Sequence, residues 1–232
     1  MSQSLAAADL QAYVEWDVRN WSAALAFWSA RTGLDIADCD ALELGSRHGG
    51  LSLWLARLGA RVTCTDLDGP SGRARAKHTA AGVEQAITYA ALDATRLPFV
   101  GRYDLIVFKS MLGALRGADR AAAQRDAIRQ MHRALRPGGE LWFAENLIAS
   151  PAHRFLRERF VSWGRDWRYV SLDEMRSHLA PFADVELRTA GFSGAFGRSH
   201  RQRAWLGAID RAGLDRLVPS RWRYIVYGVA RK

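Results

Sequence analysis

A glycine-rich turn between an apolar strand and a helix is the feature that most constrains this chain. The apolar run at residues 41–44 leads into the turn at 45–50, and residues 51–58 are then apolar at helical spacing. Gly45 and Gly49 permit backbone torsions and close approaches that a Cβ would forbid. The helix that follows offers unpaired N–H groups and the positive end of its dipole to a ligand over the turn. This order predicts a site for a nucleotide-like molecule.

Further strand-like segments follow the turn at regular intervals. Residues 60–66 end in Asp66, which lies 21 residues after Gly45. An acid about 20 residues past such a turn accepts hydrogen bonds from ribose hydroxyls in nucleotide-binding βαβ units. Apolar runs at 87–92, 103–108 and 140–145 have the same form. The chain of 232 residues is long enough to bury the core of one α/β domain.

Five motifs stand in a fixed order within residues 38–146. They are Glu43-x-Gly45-x-x-x-Gly49, Asp66, Asp93-Ala94, the strand at 103–108 and Leu135-Arg136-Pro137-Gly138-Gly139. Together they resemble the motifs of class I S-adenosylmethionine-dependent methyltransferases. The resemblance implies a Rossmann-like, doubly wound α/β fold with a seven-stranded sheet. This sheet would be mostly parallel, with an antiparallel C-terminal edge strand.

The resemblance also implies how the chain is divided. We expect a single methyltransferase domain over residues 1–232, in which residues 1–37 form an N-terminal helical lid. Residues 38–146 would form the cofactor-binding core, and residues 147–232 would supply the acceptor side and the C-terminal strands. The aromatic residues of the first segment either close over the cofactor as a lid or pack its helices against the domain.

S-adenosylmethionine is the cofactor that the resemblance implies. Asp66 would bind the ribose, Asp93 and Ala94 would contact the adenine, and Lys109 would lie near the sulfonium or its acceptor. The full expected cofactor set is Glu43, Gly45, Ser46, Gly49, Asp66, Leu67, Asp93, Ala94, Lys109, Ser110, Trp16 and Trp21. Arg47 departs from the family, which usually has a glycine there. Its side chain either points to solvent or reaches the carboxylate of the cofactor.

The methyl acceptor would bind at the rim that follows the fifth and sixth strands. Interleaved arginines and aromatic residues at 153–169 and a basic, glycine-rich stretch at 191–203 can bind phosphates and flat rings. The same stretches are also compatible with an ordinary solvated surface. The expected acceptor-binding residues are Tyr13, Asn146, Arg154, Trp163, Arg198 and His200.

A hydroxyl acceptor needs a general base. The candidate catalytic residues are His153, Glu145 and Asp17, with His48 as a fourth. His153 is the first choice because it follows the fifth strand and because histidine titrates near neutral pH. Its alternative is a surface position on an arginine-rich helix. We expect no metal, since a lysine stands just after strand four, where metal-dependent O-methyltransferases carry an aspartate.

The composition limits which partners and which cellular location we expect. The net charge of +9 invites a nucleic-acid partner, but only Lys77, Lys109 and Lys232 are lysines, and the arginines are spread along the chain. No apolar run of 18 residues and no basic-then-apolar leader occurs, so we expect a cytoplasmic protein without a membrane span. We expect Cys39 and Cys64 to be reduced and structural. The chain would be a monomer or a homodimer.

The sequence thus predicts an enzyme of biosynthesis. It would transfer a methyl group from S-adenosylmethionine to an oxygen or nitrogen of a small, anionic acceptor such as a sugar, glycan or aromatic intermediate. The alternatives are an RNA methyltransferase and a non-catalytic, nucleotide-binding protein of the same fold. A dehydrogenase is disfavoured because Gly-x-Gly-x-x-Gly does not occur in the turn.

Overall fold

The computed structural model of the chain describes residues 7–160, 167–197 and 199–232. The strands are β1 Asp40–Leu44, β2 Arg61–Asp66, β3 Ile87–Ala91, β4 Tyr103–Lys109, β5 Leu135–Asn146, β6 Asp184–Ala190 and β7 Ile225–Arg231. The helices are α1 Ala7–Val14, α2 Val18–Arg31, α3 Gly50–Arg57, α4 Gly72–Ala80, α5 Arg120–Ala134, α6 Pro151–Phe160, α7 Leu172–His178, α8 His200–Ile209 and α9 Asp215–Leu217.

The strands form one sheet in the order β3-β2-β1-β4-β5-β7-β6. The first five strands are parallel to one another, and β7 is antiparallel to both β5 and β6. The seven-stranded, mostly parallel sheet with an antiparallel C-terminal strand is therefore confirmed. The strand order reverses between β1 and β4, and ligands of open parallel sheets bind at the carboxyl ends of the strands beside this point.

Both faces of the sheet are buried, as the apolar runs of its central strands require. Side chains alternate between the faces along a strand, so Leu105 and Val107 of β4 pack into one core while Ile106 and Phe108 pack into the other. Helices α1, α2 and α3 cover the first face. Helices α5 and α7 cover the second.

Three tryptophans form the centre of the first core. The rings of Trp28, Trp54 and Trp142 lie with their centroids 5.7–6.1 Å apart. The indole N–H of Trp28 donates to the carbonyl of Gly228 at 2.9 Å, and that of Trp142 donates to Glu140 at 2.8 Å. Because Trp28 belongs to α2, this stack fixes the N-terminal helices on the sheet. Trp21, expected as a cofactor residue, is also fully buried in this core.

The connection between β6 and β7 differs from the expected loop. It contains the short helical turn Gly194–Phe196, then α8, and then a π-helical turn at Asp210–Leu214. Helix α8 begins with a capping box in which the side chains of Ser199 and Gln202 bond each other's backbone N–H groups. The spacing of Ser199 and Gln202 predicts a helix start, although the glycines just before it are typical of an irregular loop. Among the described residues, no helix is long and apolar enough to cross a membrane.

Candidate active site

The glycine turn takes the strained backbone that its sequence predicted. Gly45 has a φ of +66°, and a Cβ there would lie 2.5 Å from Cγ of Met111. Gly50, the first residue of α3, lies under the N-terminal segment. A Cβ added at this residue would lie 2.2 Å from the carbonyl oxygen of Tyr13. The first glycine permits the turn, and the second permits the N-terminal segment to approach it.

Arg47 shows why the family usually has a glycine at this position. Its φ is +51°, in the left-handed region that a residue with a Cβ seldom adopts. The Arg47 N–H donates to Oδ2 of Asp66 at 2.8 Å, and its carbonyl accepts from Oγ of Ser71 at 2.8 Å. These two bonds hold the unfavourable torsion, and the side chain of Arg47 is exposed at the edge of a cavity.

Glu43 holds the turn against α3. Its carboxylate accepts from the backbone N–H of Ser52 at 2.8 Å and from the Ser52 hydroxyl. Burial raises the pKa of Glu43 to about 7, and the hydrogen bonds from Ser52 oppose that rise. Glu43, which was expected as a cofactor contact, therefore holds the turn through these bonds.

A cavity of about 550 Å³ opens beside the turn. Its lining includes seven of the predicted residues, namely Tyr13, Trp16, Glu43, Gly45, Ser46, Lys109 and Ser110. Six further lining residues were not in the expected set, namely Glu15, Arg47, Gly50, Leu51, Trp167 and Arg203. Glu15, Arg47 and Ser110 all have a positive φ. Such strain is common where a backbone is held for binding or catalysis.

Asp66, Leu67 and Asp93, which were expected on the adenosine side, lie at or just after the ends of β2 and β3 and outside the cavity lining. Both carboxylate oxygens of Asp66 face backbone donors, one from Arg47 and one from Leu67, each at 2.8 Å. The Leu67 side chain is 50% exposed. Asp93 accepts from the backbone N–H and the hydroxyl of Thr95 at 2.8 and 2.7 Å. Each carboxylate is thus fixed in orientation, and a carboxylate oxygen can accept further bonds from a ligand.

Lys109 ends β4 and lines the cavity together with Ser110. Its ammonium nitrogen lies 4.9 Å from the ring centroid of Trp21, a cation–π distance. Burial lowers the pKa of Lys109 to about 8. Ser110 has a φ of +53°, and its Oγ accepts from the side-chain amide of Asn146 at 2.6 Å. Asn146, expected to bind the acceptor, therefore positions a residue of the cavity wall.

Glu145 is not placed to act as the general base. It is buried, and its carboxylate accepts from the backbone N–H groups of Met111 and Leu112 at 2.8 and 2.7 Å. Its other oxygen accepts from the Asn146 N–H at 2.8 Å. Burial raises the pKa of Glu145 to about 7, and these backbone bonds oppose the rise. The residue fastens the loop after β4 to β5.

His153 does not fit the role of first-choice base either. It is 1% exposed and lies outside the cavity lining. Its Nδ1 lies 2.7 Å from the Ser150 hydroxyl, and its Nε2 lies 2.9 Å from the Phe192 carbonyl oxygen. A carbonyl only accepts, so Nε2 carries the proton and Nδ1 accepts from the serine. Burial lowers the pKa of His153 to about 4. The surface alternative is also wrong, since the ring stacks on Phe196 at 4.4 Å.

Asp17 is the third catalytic candidate that the structure places elsewhere. It is 3% exposed and accepts from the Tyr224 hydroxyl. The Asn20 amide donates to Tyr224 at 2.8 Å and to Asp210 at 3.1 Å. Burial raises the pKa of Asp17 to about 7. We call Asp17, Asn20, Asp210 and Tyr224 the buried polar cluster; it joins the N-terminal helices to the C-terminal segment.

The remaining predicted residues lie around the cavity or away from it. Gly49 precedes α3 with a φ of +67°, and His48 bonds Ser71 at 3.1 Å outside the lining. Arg154 and His200 are exposed on α6 and α8 and do not line the cavity. Ala94 is buried beside the adenosine-side carboxylates. Trp163 and Arg198 lie outside the described residues.

Arg203 is the acceptor-side residue that the sequence did not single out. It lies on α8, its Nε donates to the Gly197 carbonyl at 3.0 Å, and its guanidinium carbon lies 5.9 Å from the ring centroid of Trp16. The sequence predicted that the basic stretch at 191–203 lies at the rim of the ligand site. Only the helical capping signal at Ser199 indicated that Arg203 lies on a helix there. Three residues after His200, it lies one helical turn further along α8.

The comparisons with known proteins agree with this architecture. Residues 42–143 match the family model described as a methyltransferase domain. No protein with a curated description matches the chain in sequence.

Solved structures match over most of the chain at low identity. Phosphoethanolamine N-methyltransferase 2 of Haemonchus contortus, solved with phosphomonomethylethanolamine and S-adenosylhomocysteine, is 17% identical with a TM-score of 0.61. The match covers 91% of this chain and 52% of that one, so this chain spans about half its length. An S-adenosylmethionine-dependent methyltransferase of Mesorhizobium loti is 20% identical, with coverages of 91% and 97% and a TM-score of 0.61.

The same fold also occurs with a different named activity. The [4+2]-cyclase SpnF is 19% identical, with a TM-score of 0.60, and the match covers 88% of this chain and 77% of that one. At such identities the likeness concerns the fold. The matched domain, the strand order and the geometry of the glycine turn agree with one another, and they support a methyltransferase domain over residues 42–143 with the fold of S-adenosylmethionine-dependent methyltransferases.

Proposed function

We propose that this chain transfers the methyl group of S-adenosylmethionine to an oxygen or nitrogen of a small, anionic acceptor. The transfer would be a direct in-line displacement without a metal. The observation that carries the anionic acceptor is the charge of the cavity lining, in which the guanidinium groups of Arg47 and Arg203 face one accessible carboxylate, Glu15. Nucleic acid and a non-catalytic role are the alternatives to be tested.

The cofactor fits residues on the glycine-turn side. Asp66 would accept from the ribose hydroxyls, and the exposed Leu67 would pack on the adenine ring. Asp93 would accept from the exocyclic amine of the adenine. The turn and the N-terminus of α3 would lie beside the methionine part. S-adenosylmethionine supplies an activated methyl group on a good leaving group, so the protein has to orient the reactants rather than activate the donor.

The charge balance supports an acidic acceptor. S-adenosylmethionine carries a net positive charge, and Glu15 is already paired with Lys77 at 3.1 Å. The second lining carboxylate, Glu43, is engaged by Ser52. A bound cofactor would therefore leave the cavity positive, which favours a carboxylate or phosphate on the acceptor. The Haemonchus enzyme of the same fold was solved with a small phosphorylated molecule.

Trp16 and Trp167 give the acceptor side an aromatic wall. Trp16 comes from the junction of α1 and α2, and Trp167 packs its indole against Gly113. Flat or sugar-like acceptors gain contact area from such side chains. We propose that the N-terminal helices act as the lid of the cavity, because Tyr13, Glu15 and Trp16 all belong to them or to their junction.

Calorimetric titration with S-adenosylhomocysteine tests the cofactor assignment. We expect the wild-type chain to bind it, and Asp66→Asn to weaken the affinity at least about tenfold, because a charge-assisted bond to the ribose is lost. Asp68→Asn, two residues later and exposed, is the matched control and should bind as the wild type does. No binding at about 1 mM would overturn the proposal. Tight, salt-sensitive binding of mixed tRNA would instead favour a nucleic-acid acceptor.

A further inference from the structure

We propose that Lys109 is the general base of this methyltransferase and that the group it serves is a hydroxyl of the acceptor. This inference rests on the proposed function and narrows the acceptor atom to oxygen. It concerns a residue that the sequence had placed only among the cofactor contacts.

The position of Lys109 brings its amine to the reacting centre. It ends β4, in register with Ala144 of β5, and it lines the cavity with residues of the glycine turn. The chain turns away at once through the left-handed Ser110, whose N–H donates to the Ala144 carbonyl at 2.8 Å. The backbone that carries Lys109 is therefore fixed on both sides, and the residue is held in the cavity wall.

The charged groups around Lys109 leave it without a dedicated counter-ion among the described residues. Glu15 faces it from the lid, Glu43 from β1 and Glu145 from β5, whereas Arg47 repels it from the glycine turn. Each of the three carboxylates is already engaged, by another lysine, by a serine of α3 and by backbone N–H groups after β4 respectively. The remaining close contact of the amine is the ring of Trp21.

These surroundings favour the neutral amine more than water does, and the neutral amine is the form that can accept a proton. Burial is the largest cause of the low pKa of Lys109, about 8, and it outweighs the attraction of the nearby carboxylates. A sulfonium in the same cavity would add a positive charge and lower that pKa further. The same positive charge disfavours a protonated alkylamine as acceptor, which is why a hydroxyl is the atom we assign.

The reaction step balances with Lys109 as the base. The acceptor O–H bond breaks, and its proton goes to the neutral Lys109 amine, which becomes an ammonium. The O–CH₃ bond forms as the S–CH₃ bond breaks, and the electron pair of that bond stays on sulfur. Lys109 then releases the proton to water through the open cavity before the next turnover.

The three lysines of the chain allow a direct test. We would label lysine with ¹³C and follow each side-chain signal against pH by NMR, assigning them with Lys109→Arg and Lys77→Arg. We expect the Lys109 signal to titrate near pH 8 in the free protein. With saturating S-adenosylmethionine its midpoint should fall about one pH unit below that with S-adenosylhomocysteine, because only the former carries a charged sulfur.

The contrary outcomes are distinct. If Lys109 instead binds the carboxylate that both ligands share, both will raise its midpoint equally, and the proposal is wrong. A midpoint above about 10 in the free protein would also overturn it. If no signal responds to either ligand, the proposed cofactor has failed rather than the base.

Discussion

The two sides of the cavity hold their backbones with buried polar side chains, but over different distances along the chain. On the glycine-turn side, Glu43 bonds Ser52, Asp66 bonds Arg47 and His78 bonds Gly49, across 9, 19 and 29 residues. On the C-terminal side, Asn20 bonds Asp210 across 190 residues. The glycine-turn side is therefore held by contacts between neighbouring motifs, whereas the side that carries Arg203 depends on a contact between segments far apart in the chain.

Because of this difference, a substitution should disturb a local set of contacts on one side of the cavity and a long-range set on the other. A substitution near the turn disturbs bonds that one βαβ unit supplies. A substitution in the buried polar cluster separates the N-terminal helices from the segment that carries Arg203. The experiments below compare the loss of stability caused by a substitution on each side of the cavity.

Asp210→Ala should give the largest loss of stability. Asp210 is fully buried and accepts from the Ser193 N–H and hydroxyl at 2.8 and 2.7 Å and from the Gly194 N–H at 2.9 Å, besides the Asn20 amide. Its removal leaves four donors without that acceptor, so we expect the free energy of unfolding in urea to fall by about 4 kcal/mol. Asp173→Ala, exposed on α7, is the control. Equal effects of the two would mean that the cluster does not hold the C-terminal side.

Gly50→Ala should come next, on the glycine-turn side. The added Cβ meets the Tyr13 carbonyl oxygen at 2.2 Å, so the lid has to move or the turn has to shift. We expect a loss of about 3 kcal/mol in the free energy of unfolding and weaker binding of S-adenosylhomocysteine.

Gly72→Ala is the matched control for that substitution. Gly72 is the first residue of α4, as Gly50 is of α3, and nothing lies within 4 Å of its Cβ position. Alanine there should be neutral or stabilising by about 0.5 kcal/mol. If both variants behave alike, the close approach of the lid to the turn does not matter for stability.

The smallest effect should be a pH dependence from His153. Its pKa of about 4 in the folded chain lies below the 6.5 of an unperturbed histidine, so the unfolded chain binds the proton first as the pH falls. Stability is therefore lost between about pH 6.5 and pH 4, by about 2 kcal/mol at pH 5. Unfolding in urea at pH 7 and pH 5 should show this loss reduced in His153→Gln.

The control for the pH experiment is His200→Gln, an exposed histidine of α8. Asp17, Glu43 and Glu145 act in the opposite direction, because an acid with a raised pKa loses its contribution to stability as the pH rises from about 4 to 7. These three acids are present in every variant, so the difference in pH dependence between the variants reports the contribution of His153 alone. An unchanged pH dependence in His153→Gln would contradict its burial as a neutral ring.

The sequence predicted the sheet well, for a physical reason. Strand periodicity, the glycine turn and an acid at a fixed distance are local signals, and Asp66 and Asp93 follow from them. Whether a polar residue near a strand end is free or engaged is not local. His153, Glu145 and Asp17 each have a suitable chemical type and position, yet each is engaged by partners that only the folded chain brings near. Arg203 was missed for the converse reason, because its access to the cavity depends on where α8 packs.

The link between Asp17 and Tyr224 has a consequence for how the protein is made. Tyr224 immediately precedes β7, so its hydrogen bond to Asp17, next to Trp16, cannot form until this part of the chain has been synthesised. A nascent chain can therefore form its first four parallel strands while the N-terminal helices still lack this hydrogen bond. Synthesis of the segment that carries Tyr224, rather than of the glycine-rich motif, is the event that completes this contact.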